Sequence, residues 1–189
     1  ADSVAFVKAL MQKYIKFFAD NGAKYFNIAA DECGFVSTMK GESASINATT
    51  GEYAAFAGFV NEMNSYVKSQ YMTTMAFNDG FYHKGMQIAD GSFDTDILIC
   101  YWDASKEVYA QAAELAQKGF RIINTNNRWY YVIGKEQSTG SDWPQYAYHL
   151  DYAIERMGKE DCLTIDGENT KTTSERTVPV GCMTAVWCD

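Results

Sequence analysis

Histidine is almost missing from this chain: 189 residues hold only His83 and His149. Two imidazoles are too few for a multi-histidine metal site and a weak basis for a His-dependent triad. Neither a metal ion nor an organic cofactor is implied by the residues. The five cysteines, Cys33, Cys100, Cys162, Cys182 and Cys188, form no CxxC pair. An odd number without regular spacing gives neither a zinc signature nor a disulfide framework, and most are expected as buried thiols. No dense Lys or Arg run interrupts the formal net charge of −8, which argues against a nucleic-acid or anionic-membrane partner. No apolar run approaches the roughly 18 residues that span a bilayer, so no membrane insertion is expected. The opening ADSVAFVKALMQKYIKFFADNG reads as an amphipathic helix rather than a signal peptide.

What the chain does have is a composition 47% hydrophobic and 15% aromatic, enough to bury the core of one domain. Carboxylates and aromatic rings must therefore carry any chemistry. The periodicity predicts a helix over Ser3 to Ala19, with Val4, Val7, Leu10, Met11, Tyr14, Ile15 and Phe18 at helical spacing and Asn21-Gly22 as a stop. Lys24 to Ala30 reads as a strand buried on both faces, followed by a polar loop from about Gly34 to Gly51 and a helix over Glu52 to Ser69. Strands are predicted at Met72 to Phe77, Asp96 to Trp102, Phe120 to Thr125 and Val178 to Trp187. Phe81 to Gly91 is expected to be irregular or to hold a short helix. Helices are predicted at Ser105 to Lys118 and Trp143 to Met157, and Asn126 to about Asp142 reads as loop with a Trp-Tyr-Tyr insert.

Helix and strand alternate without a hairpin signal, which calls for a parallel α/β sheet with helical crossovers. A doubly wound sheet and a (β/α)8 barrel both satisfy this. No GxGxxG follows any strand, so the dinucleotide-binding version is unsupported. The strand ends favour the barrel, because each of the five closes on polar or aromatic groups: Asp31-Glu32, Asn78-Asp79, Trp102-Asp103, Asn124 with Asn126 and Tyr130, and Trp187 with Asp189. In a barrel such ends converge on the face that carries the active site.

The first of these ends is the most telling. In YFNIAADECGF, residues 25–35, an apolar strand runs into two adjacent carboxylates, although desolvation and mutual repulsion both oppose that. A lone strand-end Asp is more often a cap, and a lone Trp is usually core. Carboxylates ringed by Trp and Tyr at five strand ends have the composition of a carbohydrate site, where ring faces stack on sugar C–H surfaces and carboxylates read hydroxyls.

The segments FNIAADE (26–32), MAFNDGFY (75–82), DILICYWD (96–103), GFRIINTNNRWYYV (119–132) and VPVGCMTAVWCD (178–189) resemble, in order, the catalytic domain of glycoside hydrolase family 20. These are the β-N-acetylhexosaminidases, and the likeness is strongest to the cell-surface enzymes of Gram-positive bacteria. The resemblance implies hydrolysis of terminal β-linked N-acetylglucosamine or N-acetylgalactosamine from a glycan, with retention, through an oxazolinium formed by the substrate's own acetamido group. By the same resemblance Asp31 orients that group and Glu32 is the general acid/base, which needs a raised pKa. Tyr130 matches the tyrosine that donates to the acetamido oxygen, with Tyr131 as the alternative register. Trp102 and Trp187 match the tryptophans lining the sugar pocket, and Asp189 an acid that binds hydroxyls. Asn78 and Asp79 stand where many members carry a Trp followed by an acid, a departure that weakens Asp79 as a substrate contact.

The resemblance also implies a partial catalytic domain over residues 1–189, an incomplete barrel covering about strands four to eight. The first three strands, and an arginine that members contribute from the first, have no counterpart, and a fragment of a longer extracellular or cell-surface bacterial enzyme is expected. An open arc leaves two strand edges, from which self-association is expected. Two further readings stand beside the hydrolase: a non-catalytic carbohydrate-binding or inactive piece, and a disaccharide-releasing member of the lacto-N-biosidase type.

Overall fold

The computed structural model describes residues 2–31, 50–84, 88–102, 109–125, 131–133 and 179–187. Helix α1 spans Asp2–Asp20 and strand β1 Tyr25–Asn27. Helix α2 spans Thr50–Ser69 and β2 Thr73–Phe77, which runs into a 3-10 turn over Asn78–Gly80. Then follow β3 Leu98–Tyr101, α3 Ala112–Gln117, β4 Arg121–Asn124, β5 Tyr131–Ile133, β6 Gly181–Cys182 and β7 Ala185–Trp187. Five strands form one all-parallel sheet in the order β1-β2-β3-β4-β6, and β5 pairs with β7, also in parallel.

Helix α1 stops where the sequence signals it. Gly22 takes φ +82°, its N–H reaches the Ala19 carbonyl at 2.9 Å, and the Ala23 N–H reaches that of Phe18 at 3.0 Å. This left-handed closure satisfies carbonyls that the helix end would otherwise leave open. The apolar stripe of α1 is only partly used: Ile15 is buried and Met11 packs on the core, whereas Val4, Val7, Leu10, Tyr14 and Phe18 remain 40–52% exposed. The reason is position, since α1 stands over the edge of the sheet, where the Phe18 ring meets that of Phe26 on β1 at 6.0 Å.

Strand β1 is an edge strand, so the expectation of burial on both faces fails there: Tyr25 is 58% exposed and Phe26 and Asn27 are half-buried. One sheet neighbour, β2, covers it on one side. Strand β3, flanked by β2 and β4, is buried along its whole length. At its centre Cys100 is enclosed, and burial pushes its thiol up to about 12, so it stays protonated. Cys182 is free and exposed, and Cys33, Cys162 and Cys188 lie outside the described residues.

Helix α2 covers the sheet with Tyr53, Ala57, Val60, Met63 and Val67, a stripe of helical period. Its polar flank ties down the β2–β3 connection: Asn61 donates to the Ser92 carbonyl at 2.9 Å and accepts the Asp94 N–H at 2.9 Å, and the Asn64 amide reaches both Asp94 and Asp96. The connection itself has no α-helix among its described residues; it packs aromatic rings instead. Phe93 lies against Phe81, Tyr82, Tyr53 and Phe56, with ring centroids 4.7 to 6.2 Å apart.

Two further expectations are corrected. Of the helix read over Ser105 to Lys118, the described part is α3 from Ala112, and residues 109–111 before it are not helical: Gln111 is extended and Glu114 reaches back to accept its N–H at 2.6 Å, a capping box; residues 105–108 lie outside the described residues. The single strand read over Val178 to Trp187 is two short strands, and the stretch read as loop contains β5. Strand β6 completes the edge of β4, while β7 leaves it to pair Tyr131 with Ala185 and Ile133 with Trp187. The predicted loop from Gly34 and helix from Trp143 fall outside the described residues.

Candidate active site

In a parallel sheet every strand delivers its last residue to the same edge, and here that edge collects five of the strand-end residues singled out from sequence. Asp31 follows β1 and is exposed; Asn78 and Asp79 follow β2, Trp102 follows β3, and Asn124 closes β4. Asn78, Asp79, Asn124 and Thr125 are at most 1% exposed. Burial of polar side chains demands partners, which Asn78 and Asp79 find on the next strand, whereas the buried Thr125 hydroxyl has no hydrogen-bond partner among the described residues.

The partners join the strand ends to one another. The Trp102 backbone N–H donates to Asn78 Oδ1 at 2.8 Å, and its indole Nε1–H donates to Asp79 Oδ1, also at 2.8 Å. Thus the turn after β2 fixes both the backbone and the ring of the residue after β3. The Thr125 N–H reaches the Tyr101 carbonyl at 3.0 Å, and the Phe77 N–H reaches that of Ala29 at 2.8 Å. Each of β1 to β4 is held at its C-terminal end by the strand beside it.

Asp79 therefore supports Trp102 from beneath, a role that neither residue's position in the sequence suggests. Replacing Trp102 with Phe keeps a ring but removes the indole's hydrogen bond to the buried Asp79 carboxylate, and a loss of about 1–3 kcal/mol is expected. Asp79→Asn, whose amide oxygen still accepts, should lose less. Urea unfolding of the two variants checks that order.

Glu32, Tyr130 and Asp189 lie outside the described residues. Tyr131 opens β5 and Trp187 closes β7; only their backbones are described. His83 is buried with its Nδ1 2.7 Å from the Lys84 carbonyl and its ring edge-on to Tyr109, and burial lowers its pKa, which makes it a neutral packing residue. Among the described residues no three His, Cys, Asp or Glu side chains converge as a metal would require, and no helix is long and apolar enough to cross a membrane.

Sequence reading missed the groups behind this edge. Tyr53 on α2 donates its hydroxyl to the Gly80 carbonyl at 2.9 Å, and Gly80 lies against the Ala30 carbonyl. Ala29 and Ala30, just before Asp31, both have positive φ, 61° and 66°. Only the chemistry of Gly80 left a trace in the sequence, as the glycine of Asn-Asp-Gly.

Comparison with known proteins agrees with this architecture. Residues 1–189 match the family model described as glycosyl hydrolase family 20, catalytic domain. A solved structure of the pneumococcal exo-β-D-N-acetylglucosaminidase StrH, with tandem GH20 catalytic modules, is 33% identical with a TM-score of 0.72, covering 98% of this chain and 42% of that one. Dispersin B shares the fold at 24% identity and a TM-score of 0.68, over 99% of this chain and 52% of its own. The lacto-N-biosidase of Bifidobacterium bifidum is 26% identical over 137 residues, 69% of this chain and 11% of that protein. The chain thus spans less than half of the StrH chain and about a tenth of the biosidase, and its parallel sheet is an incomplete α/β barrel.

Proposed function

Since the chain belongs to glycosyl hydrolase family 20, we propose that it carries part of a glycosidase site that removes terminal β-linked N-acetylhexosamine by substrate-assisted, retaining hydrolysis. The observation that carries this reading is Asp31 at the C-terminal end of β1, on the same sheet edge as a Trp102 fixed at both backbone and indole. A rigid indole offers a flat apolar face to a pyranose ring, and the carboxylate offers an acceptor to an acetamido N–H.

In this reading Glu32 protonates the glycosidic oxygen as the bond to the anomeric carbon breaks. The acetamido oxygen attacks the same carbon from the opposite face, which closes an oxazolinium ring. Asp31 accepts the acetamido N–H and stabilises the positive charge that spreads onto nitrogen. Water then opens the ring, delivering hydroxyl to the anomeric carbon and its proton to Glu32, so the configuration is retained and the acid is restored. Tyr130, or Tyr131, donates to the acetamido oxygen, Trp187 forms a second wall, and Asp189 binds sugar hydroxyls. Two neighbouring carboxylates serve this scheme by taking different atoms of one sugar, Asp31 the acetamido nitrogen and Glu32 the glycosidic oxygen.

The likeness to StrH, an exo-β-D-N-acetylglucosaminidase, supports release of a single sugar, and that to a lacto-N-biosidase supports release of a disaccharide as the second reading. The resemblance to Gram-positive cell-surface enzymes supports action outside the cell. The experiment compares p-nitrophenyl β-glycosides of N-acetylglucosamine, lacto-N-biose and glucose on the 189-residue chain. Turnover of an acetamido substrate with none of the glucoside is expected. Equal cleavage of the glucoside would exclude substrate assistance, and binding of the acetamido sugars without any turnover would leave the carbohydrate-binding reading.

A further inference from the structure

We propose that Gly80, braced by Tyr53, is a positioning residue for Asp31, acting through the Ala30 carbonyl. The inference deepens the reading given above and rests on it for its catalytic consequence, though not for its geometry. Ala29 and Ala30 have φ of 61° and 66°, two successive residues in a left-handed region that side-chain-bearing residues seldom enter even singly. Such a conformation persists only where its surroundings over-determine it.

The surroundings here are specific. The Ala29 N–H is taken by Asn27 Oδ1 at 2.8 Å and its carbonyl by the Phe77 N–H at 2.8 Å. The next carbonyl, that of Ala30, sits over the bare α-carbon of Gly80: a methyl group there would lie 2.5 Å from it and 3.1 to 3.3 Å from the Phe56 ring. No side chain fits that gap without displacing the Ala30 peptide, and the residue joined to that peptide is Asp31. Gly80 in turn cannot retreat. Its carbonyl accepts the Tyr53 hydroxyl at 2.9 Å, the Tyr53 oxygen accepts the His83 N–H at 3.2 Å, and Phe56 closes the other side. Tyr53 is wholly buried on α2, so the helix, the turn after β2 and the end of β1 form one bracket. The same turn holds Trp102 through Asn78 and Asp79. Gly80 thereby sets the carboxylate of Asp31 and the indole of Trp102 in one frame.

The test uses the 189-residue chain and its variants Gly80→Ala and Tyr53→Phe, followed by amide resonances in two-dimensional NMR, thermal melting, and kcat and KM on p-nitrophenyl N-acetyl-β-glucosaminide. In both variants the Ala30 and Asp31 resonances are expected to move. In Gly80→Ala kcat should fall about tenfold to a hundredfold, as a small misplacement of a catalytic group does, with KM within about twofold. Tyr53→Phe should fall less, in the same direction. A purely structural role would lower the melting temperature while leaving kcat and the Asp31 resonance unmoved, and that result overturns the proposal. Should Gly80→Ala not fold, Tyr53→Phe decides by the same criteria. If the parent chain shows no turnover, the functional reading is what fails, and the NMR displacement still decides whether Gly80 places Asp31.

Discussion

Glu32→Gln is expected to cut hydrolysis of an unactivated N-acetylglucosaminide glycan by about 10²–10⁴-fold, the range in which a positioned general acid contributes. The size of the loss should depend on the leaving group. A p-nitrophenolate departs with little help from a proton, so the first step on the aryl glycoside should suffer much less than that on a sugar-linked substrate. Asp31→Asn should behave differently. Its carboxylate acts on the acetamido nitrogen, away from the leaving group, so turnover of both substrates should fall by a similar factor, about 10²–10³ for loss of one electrostatic partner of the transition state. The alkaline limb of the pH–rate profile should vanish in Glu32→Gln and survive in Asp31→Asn, because only the former removes the acid whose ionisation ends catalysis. Steady-state kinetics on the two substrate types would separate the roles. Equal losses across leaving groups in Glu32→Gln would sink its assignment as the acid.

Phe93→Ala is expected to destabilise the chain by about 3–5 kcal/mol, the usual cost of removing a buried phenylalanine. Phe93 is 1% exposed and its ring meets four others, those of Tyr53, Phe56, Phe81 and Tyr82. A connection packed on rings has little else to collapse onto when the central one is removed. Against a total stability of about 5–15 kcal/mol, such a loss is a large fraction, and a fall of roughly 6–20 °C in melting temperature follows for a chain of this size. Phe93→Leu, which refills most of the volume, should lose much less. Because Tyr53 and Phe56 also enclose Gly80, the Ala variant should loosen the turn that supports Trp102 as well. Urea and thermal unfolding measure the first effect; a loss below about 1 kcal/mol would mean that the ring cluster does not bear on stability.

Much of this was legible in the chain. The parallel alternation, the start of α2 and the positions of β1 to β4 follow from hydrophobic period, and the end of α1 from Gly22; all are found within a few residues of where they are expected. The capping box at Gln111 was not, because glutamine is a weak N-cap signal inside an Ala-rich run. Strand β5, and the break that separates β7 from β6 inside the strand expected over Val178 to Trp187, were not either. Three residues have no measurable period, and their pairing depends on partners 54 positions apart, Tyr131 with Ala185.

The sequence by itself determined which residue types stand at the strand ends, because a strand that must be buried announces its boundaries by where the apolar run stops. It therefore named Asp31, Asn78, Asp79 and Trp102 within one larger group, of which Glu32, Tyr130 and Asp189 lie outside the described residues. Only the tertiary structure decided how they relate: that β1 lies at an edge and stays half-covered, that the Asp79 carboxylate takes the Trp102 indole, and that a hydrogen in place of a side chain at Gly80 makes room for the Ala30 carbonyl. Those facts are distances between segments far apart in the chain. Local preference, which acts over a few residues, carries no record of them.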